Sequence, residues 1–379
     1  MNFMLSEDEK MFQDNFRKFV QREIAPLVGD AEEKHRFPVE LFPKMGKLGY
    51  LGIRFPEKYG GANTNMLTEC IWEEEMARVN VGISTSIGLG SAIAFHAINE
   101  FGTEGQKKKF LLPGNQGRLI GAIAITEPNA GSDVAGIQTN AKKDGEFYIL
   151  NGSKMWITNA TIANVIVVIA YTDRDKGPDA GISMLIVEKE TPGLTSKSIK
   201  KMSSKSADTG EINFENCIIP KENLLGKEGM GLRNFSDAFL GGRLLNAARS
   251  LGNSEACFEI AKKYALERIQ FGKPISKFQA IRFKLASMAV ELGLVRTYVW
   301  QAARMYEADR LSRKIASTAK LYASEMAQRV AAEAMQIHGA YGISEEYDIE
   351  RRFRDARTMT VGEGTSEIQR MIVAHEIGL

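Results

Sequence analysis

Apolar positions along the chain change their spacing twice. In the first stretch they recur every three or four residues: Phe12, Phe16, Phe19 and Ile24 follow at helical spacing as far as Pro26, which predicts an amphipathic helix. Ser6 to Glu9 reads S-x-x-E ahead of that run, the capping box in which two side chains satisfy the free N–H groups of a helix start. Further apolar helical stretches run over 70–77 and 93–101, with turn signals at Tyr59-Gly60-Gly61 and Pro113-Gly114. Residues 1–118 are therefore expected to form an all-helical domain.

From Leu119 the pattern is that of strands. The segment QTNAKKDGEFYILNGSKMWIT sets Asp144-Gly145 and Asn151-Gly152 between β-prone runs, and both dipeptides read as hairpin turns of a meander. Strands are predicted over 165–171, 182–188 and 211–214, with Glu222-Asn223-Leu224-Leu225-Gly226 closing the region. A small β-sandwich or barrel over 119–228 follows. Helical spacing then returns: Ile281, Leu285, Met288, Leu292, Val295 and Val299 step by four and three, and a second long helix is predicted over about 311–338. Residues 229–379 read as a C-terminal helical bundle. The expected class is α+β, in the order helical, β, helical.

Composition adds limits. The chain has 379 residues, is 44% hydrophobic and 25% charged, and carries a formal charge of +2. That balance is ordinary for a globular protein and argues against nucleic acid as the main partner. Cys70, Cys217 and Cys257 are scattered and form no C-x-x-C, which fits a reducing compartment and argues against structural zinc. His35, His96, His338 and His375 never stand at metal-ligand spacing, so no metal is expected. MNFMLSEDEK has no apolar signal-peptide core, and no stretch is expected to approach 18 uncharged apolar residues. A cytoplasmic protein without a membrane span is the expectation. Phosphate-loop, zincin, nucleophile-elbow and EF-hand signatures are lacking, and Gly226, Gly229 and Gly231 lack the spacing of a dinucleotide turn.

Two strings ask for more than folding requires. ITEPNAGSD (125–133) packs Thr126, Glu127, Asn129, Ser132 and Asp133 around Pro128 and Gly131, a loop that offers N–H groups and hydroxyls to a polar ligand. MTVGEGTSEIQR (359–370) sets Glu363 between Gly362 and Gly364, ahead of a Ser366-to-Gln369 capping box. Glu363 is either an anion at a helix start or a base.

Together with NGSKMWITNA (151–160), ERIQFGKPI (267–275), QIHGAYG (336–342) and GEGTSEIQR (362–370), the first of these strings resembles the acyl-CoA dehydrogenase family, over nearly the whole chain. The resemblance implies an N-terminal all-α domain, a middle β domain and a C-terminal four-helix bundle, with FAD in a crevice and an acyl-CoA thioester against the flavin. It places Ile123, Ile125, Thr126, Gly131 and Ser132 in the flavin loop, with Ser132 also serving coenzyme A, and Trp156 and Thr158 over the flavin. Arg268, Gln270 and Phe271 match a segment that reaches FAD from a neighbouring subunit. Gln279, Gln336, Gly339, Ala340, Thr365 and Glu367 match further cofactor contacts, although Ala340 departs from the usual double glycine.

By the same resemblance Glu363 is the base that removes the α-proton while FAD takes a hydride at N5. The alternative base position on the helix after 229 is Gly242, which has no carboxylate. The Glu363 N–H and a flavin ribityl hydroxyl are expected to bind the thioester carbonyl, with Gly364 beside them and Arg243 at the substrate entrance. Ser84 and Gly88 belong to the implied acyl wall, where small residues suggest room for a longer, branched or cyclic acyl group. Gly362, where an aromatic often stands, widens that space further. The implied partners are an electron-transferring flavoprotein and three further copies in a homotetramer, a dimer of dimers. An acyl-CoA oxidase or enoyl-CoA reductase of the same fold stays open, as does a non-catalytic nucleic-acid-binding relative.

Overall fold

The computed structural model describes residues 4–379, so the first three residues of the polar N-terminal segment lie outside the described residues. Helix α1 (Glu7–Phe19) begins at the expected box, with Glu9 N–H donating to Ser6 Oγ and Ser6 N–H to Glu9 Oε2. Phe16 stacks on Trp72 of α2 (Met66–Val79) with ring centroids 5.9 Å apart. Helix α2 runs through the middle of the molecule and buries four carboxylates, Glu69, Glu73, Glu74 and Glu75. Each meets an arginine from another element: Arg54, Arg249, Arg296 and Arg17 respectively. A buried carboxylate without such a partner would cost several kcal/mol, so these pairs fix which elements can lie beside α2.

The next helix, α3 (Val81–Phe101), corrects one expectation. Its mean hydropathy of 1.5 and its length would suffice to cross a membrane, yet 89% of its apolar window is buried inside the fold. It is a core helix, with π turns from Gly88 to Ile93.

Eight strands form one mixed sheet: β1 (Gly121–Ala124), β2 (Asn140–Asp144), β3 (Phe147–Thr158), β4 (Val165–Tyr171), β5 (Ile182–Glu188), β6 (Leu194–Ser198), β7 (Thr209–Pro220) and β8 (Leu224–Leu225). The order is β6-β7-β3-β2-β4-β5-β8, with β1 parallel to β4. Val165, Val167 and Ile169 of β4 pack with Phe95, Ile98 and Phe110 of the helical domain. Their neighbours Ile166 and Val168 pack with Tyr148, Leu150 and Phe214 of β3 and β7. Strand β4 is thus buried on both faces, and the sheet curls over itself as a sandwich. A β2–β3 turn forms where expected, with Asp144 paired to Phe147 and Gly145-Glu146 as its two turn residues. Asn151-Gly152 is not a turn but a bulge inside β3, where the register shifts and Gly152 takes φ 145°. A Cβ there would strike Thr139, so the glycine serves close backbone approach.

The C-terminal helices are α4 (Gly231–Glu267), α5 (Gln279–Glu307), α6 (Arg313–His338), α7 (Asp348–Met359) and α8 (Ser366–Glu376). Met288, Leu292, Val295 and Val299 of α5 are buried in the bundle core, as their spacing predicts. The opposite face of α5 carries Phe283, Val290, Leu294 and Tyr298, all exposed.

Candidate active site

The loop between α7 and α8 holds Glu363. Val361 and Gly362 N–H groups donate to the Thr358 carbonyl, and the chain then takes two left-handed residues, Glu363 at φ 59° and Gly364 at φ 89°. Gly364 adopts this freely, whereas Glu363 is strained by about 1 kcal/mol. Gly362 has no positive φ, so of the two glycines flanking Glu363 only Gly364 supplies left-handed freedom to the bend. The helix cap is also shifted by one residue. Thr365 Oγ accepts from Ile368 N–H, Ser366 is the first helical residue and is buried, and Gln369 turns back. Gln369 Nε2 donates to the carbonyls of Glu363 and Gly364, both at 3.1 Å, and Lys320 Nζ on α6 donates to the Gly364 carbonyl at 2.7 Å. The wholly buried Lys320 and Gln369 therefore fix the loop; neither belonged to the expected site.

The Glu363 side chain is 8% exposed. Its Oε1 lies 3.5 Å from Arg249 Nη1, and Oε2 has no hydrogen-bond partner. A Cβ at Gly242 would sit 3.4 Å from that oxygen, so the two possible base positions converge on one spot. Burial raises the Glu363 pKa above the ordinary carboxylate value, opposed by Arg249 and Lys320. Arg243 stands near the same carboxylate with Nε and Nη1 buried and unpartnered; burial lowers its pKa, and Glu363 acts against that.

Behind Glu363 lies an ion pair absent from every motif. Arg249 on α4 binds Glu73 on α2 through Nε and Nη2, and Ser84 Oγ donates to the same Glu73 oxygen at 2.9 Å. Burial pushes Glu73 up to about 7 against the pull of Arg249 and Ser84. This corrects the acyl-wall expectation. The Ser84 hydroxyl is committed to Glu73, and a Cβ at Gly88 would meet Glu73 Oε2 at 2.9 Å. The gap left by small residues is filled by a charged pair.

The 125–133 loop leaves β1 beside half-buried Ile123 and Ile125. Lys154 of β3, with no exposure, donates to the Ile125 carbonyl at 2.8 Å and to Glu127 at 2.9 Å. Glu127 also accepts from the N–H groups of Gln138 and Thr139, which closes the loop. Met155 N–H donates to the Thr126 carbonyl, and the next residue, Trp156, takes φ 62° where β3 loses register with β7. Its indole is 55% exposed. Thr158 is half-buried, and Gly131 and Ser132 are exposed with open space at Gly131. An open indole beside a loop of hydroxyls and N–H groups suits a flat ring with polar edges.

A second group lies at the end of the bundle. Arg268 caps α4 and opens a two-stranded hairpin, β9 (Ile269–Gln270) and β10 (Lys273–Pro274), whose tip carries Phe271 at φ 52° and 92% exposed. The Arg268 guanidinium lies 5.4 Å from the ring centroid of Tyr341, which joins the hairpin to the end of α6 and the turn after it, where Gln336, Gly339 and Ala340 are exposed. Gln279 starts α5 and is exposed. Among the described residues no hydrogen bond or ring contact links this group to the Trp156 loop. Thr365 and Glu367 line a separate cleft with Gln328, Arg329 and Arg357.

Family models for the acyl-CoA dehydrogenase N-terminal, middle and C-terminal domains match residues 6–118, 122–217 and 229–378. A probable acyl-CoA dehydrogenase of Bacillus subtilis (strain 168) is 42% identical over the full length of both chains. The structure of butyryl-CoA dehydrogenase from Megasphaera elsdenii superposes with a TM-score of 0.96 at 38% identity, covering 100% of each chain. A glutaryl-CoA dehydrogenase from Mycobacterium smegmatis in complex with FADH2 superposes at 0.94 with 31% identity, covering 99% of this chain and 95% of that one. With a buried, partly unpartnered carboxylate, an open aromatic loop and three matching domains, the chain belongs to the acyl-CoA dehydrogenase family, FAD-dependent oxidoreductases acting on CH–CH groups.

Proposed function

We propose that the protein dehydrogenates a short-chain acyl-CoA to the 2-enoyl-CoA, with Glu363 taking the α-proton. The observation that carries this is the Glu363 carboxylate, withdrawn from water, with Oε2 unpartnered and its loop fixed by Lys320 and Gln369. Burial raises its proton affinity, which suits a base that must accept a proton from a weakly acidic carbon. Among the described residues no acceptor takes the Glu363 N–H, which leaves it for the thioester carbonyl and its developing negative charge.

Thr126, Ser132, Trp156 and Thr158 would hold the flavin ring. Arg268, Gln270, Phe271, Gln279, Gln336, Gly339 and Ala340 of a second copy, with Thr365 and Glu367, would hold the rest of FAD. Bound FAD supplies the acceptor for the hydride from Cβ. A short acyl group is supported by the Glu73–Arg249 pair at Gly88 and by the likeness to a butyryl-CoA dehydrogenase.

A homotetramer is supported by the exposed apolar face of α5 and by the isolated Arg268 hairpin, which needs a second copy to reach a flavin. An electron-transferring flavoprotein is the proposed acceptor, supported by a solved chain 39% identical (TM-score 0.97) in a structure described as the electron transferring flavoprotein of Acidaminococcus fermentans. A cytoplasmic location fits the three buried free thiols.

The test is anaerobic flavin bleaching of the holoenzyme by linear, branched and cyclic acyl-CoA thioesters. Glu363→Gln is expected to stay yellow and bind ligand while its bleaching rate falls at least about 10²-fold. An unchanged rate would reduce Glu363 to a structural role. Reoxidation by oxygen as fast as by an electron-transferring flavoprotein would point to an oxidase.

A further inference from the structure

A row of three buried charged side chains joins the N-terminal domain to the base. Glu73 on α2 is fully buried, Arg249 on α4 is 4% exposed, and Glu363 stands at the loop before α8. Two nitrogens of Arg249 face Glu73, and the third, Nη1, faces Glu363 at 3.5 Å. Ser84 anchors the far carboxylate. Nothing in the chemistry of proton removal asks for Glu73, and burying a carboxylate there is costly unless it does something for its neighbours.

We propose that Arg249, neutralised by Glu73, is a positioning residue for the base: it holds the Glu363 carboxylate over the face of Gly242, and the Glu73 counter-charge keeps that carboxylate able to accept a proton. The inference rests on the reading of Glu363 as the base. A bare guanidinium 3.5 Å from a buried carboxylate would stabilise the anion and make it a poor proton acceptor. Ionised Glu73 opposes that field and leaves the geometric hold.

The other groups around Glu363 cannot replace Glu73. Lys320 on α6 and Arg243 on α4 are cationic, Asn246 on α4 is a neutral amide, and Ile93 of α3 and Gly242 are uncharged. Burial raises the Glu363 pKa, and Arg249 and Lys320 pull the other way.

The test follows the Glu363 carboxyl stretch by infrared titration of the flavin-loaded protein, assigned by its loss in Glu363→Gln. Glu73→Gln leaves Arg249 uncompensated and is expected to lower the Glu363 midpoint by about 1 pH unit or more. Arg249→Met is expected to raise it by a similar amount. The double variant, which removes a neutral pair, should return close to the wild-type midpoint, as should Arg249→Lys. The acid limb of single-turnover bleaching by butyryl-CoA should move with the infrared midpoint. If Arg249→Met fails to fold because Glu73 loses its partner, Glu73→Gln and the double variant decide. An unmoved or raised midpoint in Glu73→Gln overturns the proposal, as does a double variant displaced as far as either single. Failure of any thioester to bleach the wild type would instead remove the dehydrogenase reading, while the titration still decides the coupling.

Discussion

Replacing Lys154 by methionine tests whether the flavin loop is held by one buried ion pair. Lys154 fills its site with no exposure, and among the described residues its ammonium bonds only to the Ile125 carbonyl and Glu127. Although burial works against it, bonds from Thr139, Gln138 and Lys154 hold Glu127 below the ordinary carboxylate range, so it is charged at neutral pH. Lys154→Met therefore leaves a buried anion without its cation, which costs about 3–5 kcal/mol. The orphaned Ile125 carbonyl adds about 1 kcal/mol. In Lys154→Met/Glu127→Gln the charge is gone and one backbone N–H stays bonded, so the cost should fall to about 1–2 kcal/mol.

The signature is a double variant more stable than the single, read from melting temperature and from flavin retained per chain after gel filtration. The pH dependence has a definite sign. Burial pushes Lys154 down to about 8 from an ordinary 10.5, so between these values the unfolded chain keeps a proton that the folded chain has shed. This group's contribution to stability therefore rises with pH across that window, and the rise should vanish in Lys154→Met. A single variant with wild-type melting and flavin content, or a double variant below the single, would refute the reasoning.

Gly364→Ala combines a φ of 89° with a Cβ 2.7 Å from Gln369 Nε2, and should lose more than about 1 kcal/mol of stability and at least about 10-fold in bleaching rate. Gly362→Ala meets only the Thr358 carbonyl at 3.6 Å and should stay within about 0.5 kcal/mol of wild type by urea midpoint; equal effects at both glycines would contradict the assigned turn. Trp156→Ala removes an exposed side chain and leaves the same positive φ on a Cβ-bearing residue, so apoprotein melting should hold while flavin binding weakens by about 1 kcal/mol; undiminished flavin affinity in equilibrium dialysis would take the indole out of the cofactor site. Val290→Glu/Leu294→Glu puts charge on the exposed face of α5 and should lower the assembly mass by light scattering. An unchanged mass would show that this face is not an interface.

What could be read in advance was whatever repeats locally. The α5 core stripe and the β4 and β5 runs follow from spacing alone, because packing against one or two faces imposes a period. Local strings failed where two structures share one chemical requirement. Asn-Gly suits a hairpin and a bulge alike, since both accept a glycine at positive φ, and only the nearness of Thr139 selects the bulge. Thr365 and Ser366 are both good caps, and the choice falls to Thr365 because Gln369 is used to bind the Glu363 and Gly364 carbonyls.

The acyl pocket lay beyond local reading for a different reason. Glu73 sits in a Glu-Glu-Glu run that resembles a solvated helix face, and its partner Arg249 is 176 residues away in a stretch of small and apolar side chains. Small residues at Ser84 and Gly88 look like room for substrate only if nothing else enters that room. A carboxylate and a guanidinium do enter it, and they arrive from two domains at once. Motifs near the flavin fix atoms that every substrate of the reaction shares, so they carry over between relatives. The far end of the acyl group meets side chains brought together only by tertiary packing, which no short string encodes. The Glu363 loop could therefore be read from its neighbours in sequence, while the crowding at Ser84 and Gly88 depends on Glu73 and Arg249, which are neighbours only in space.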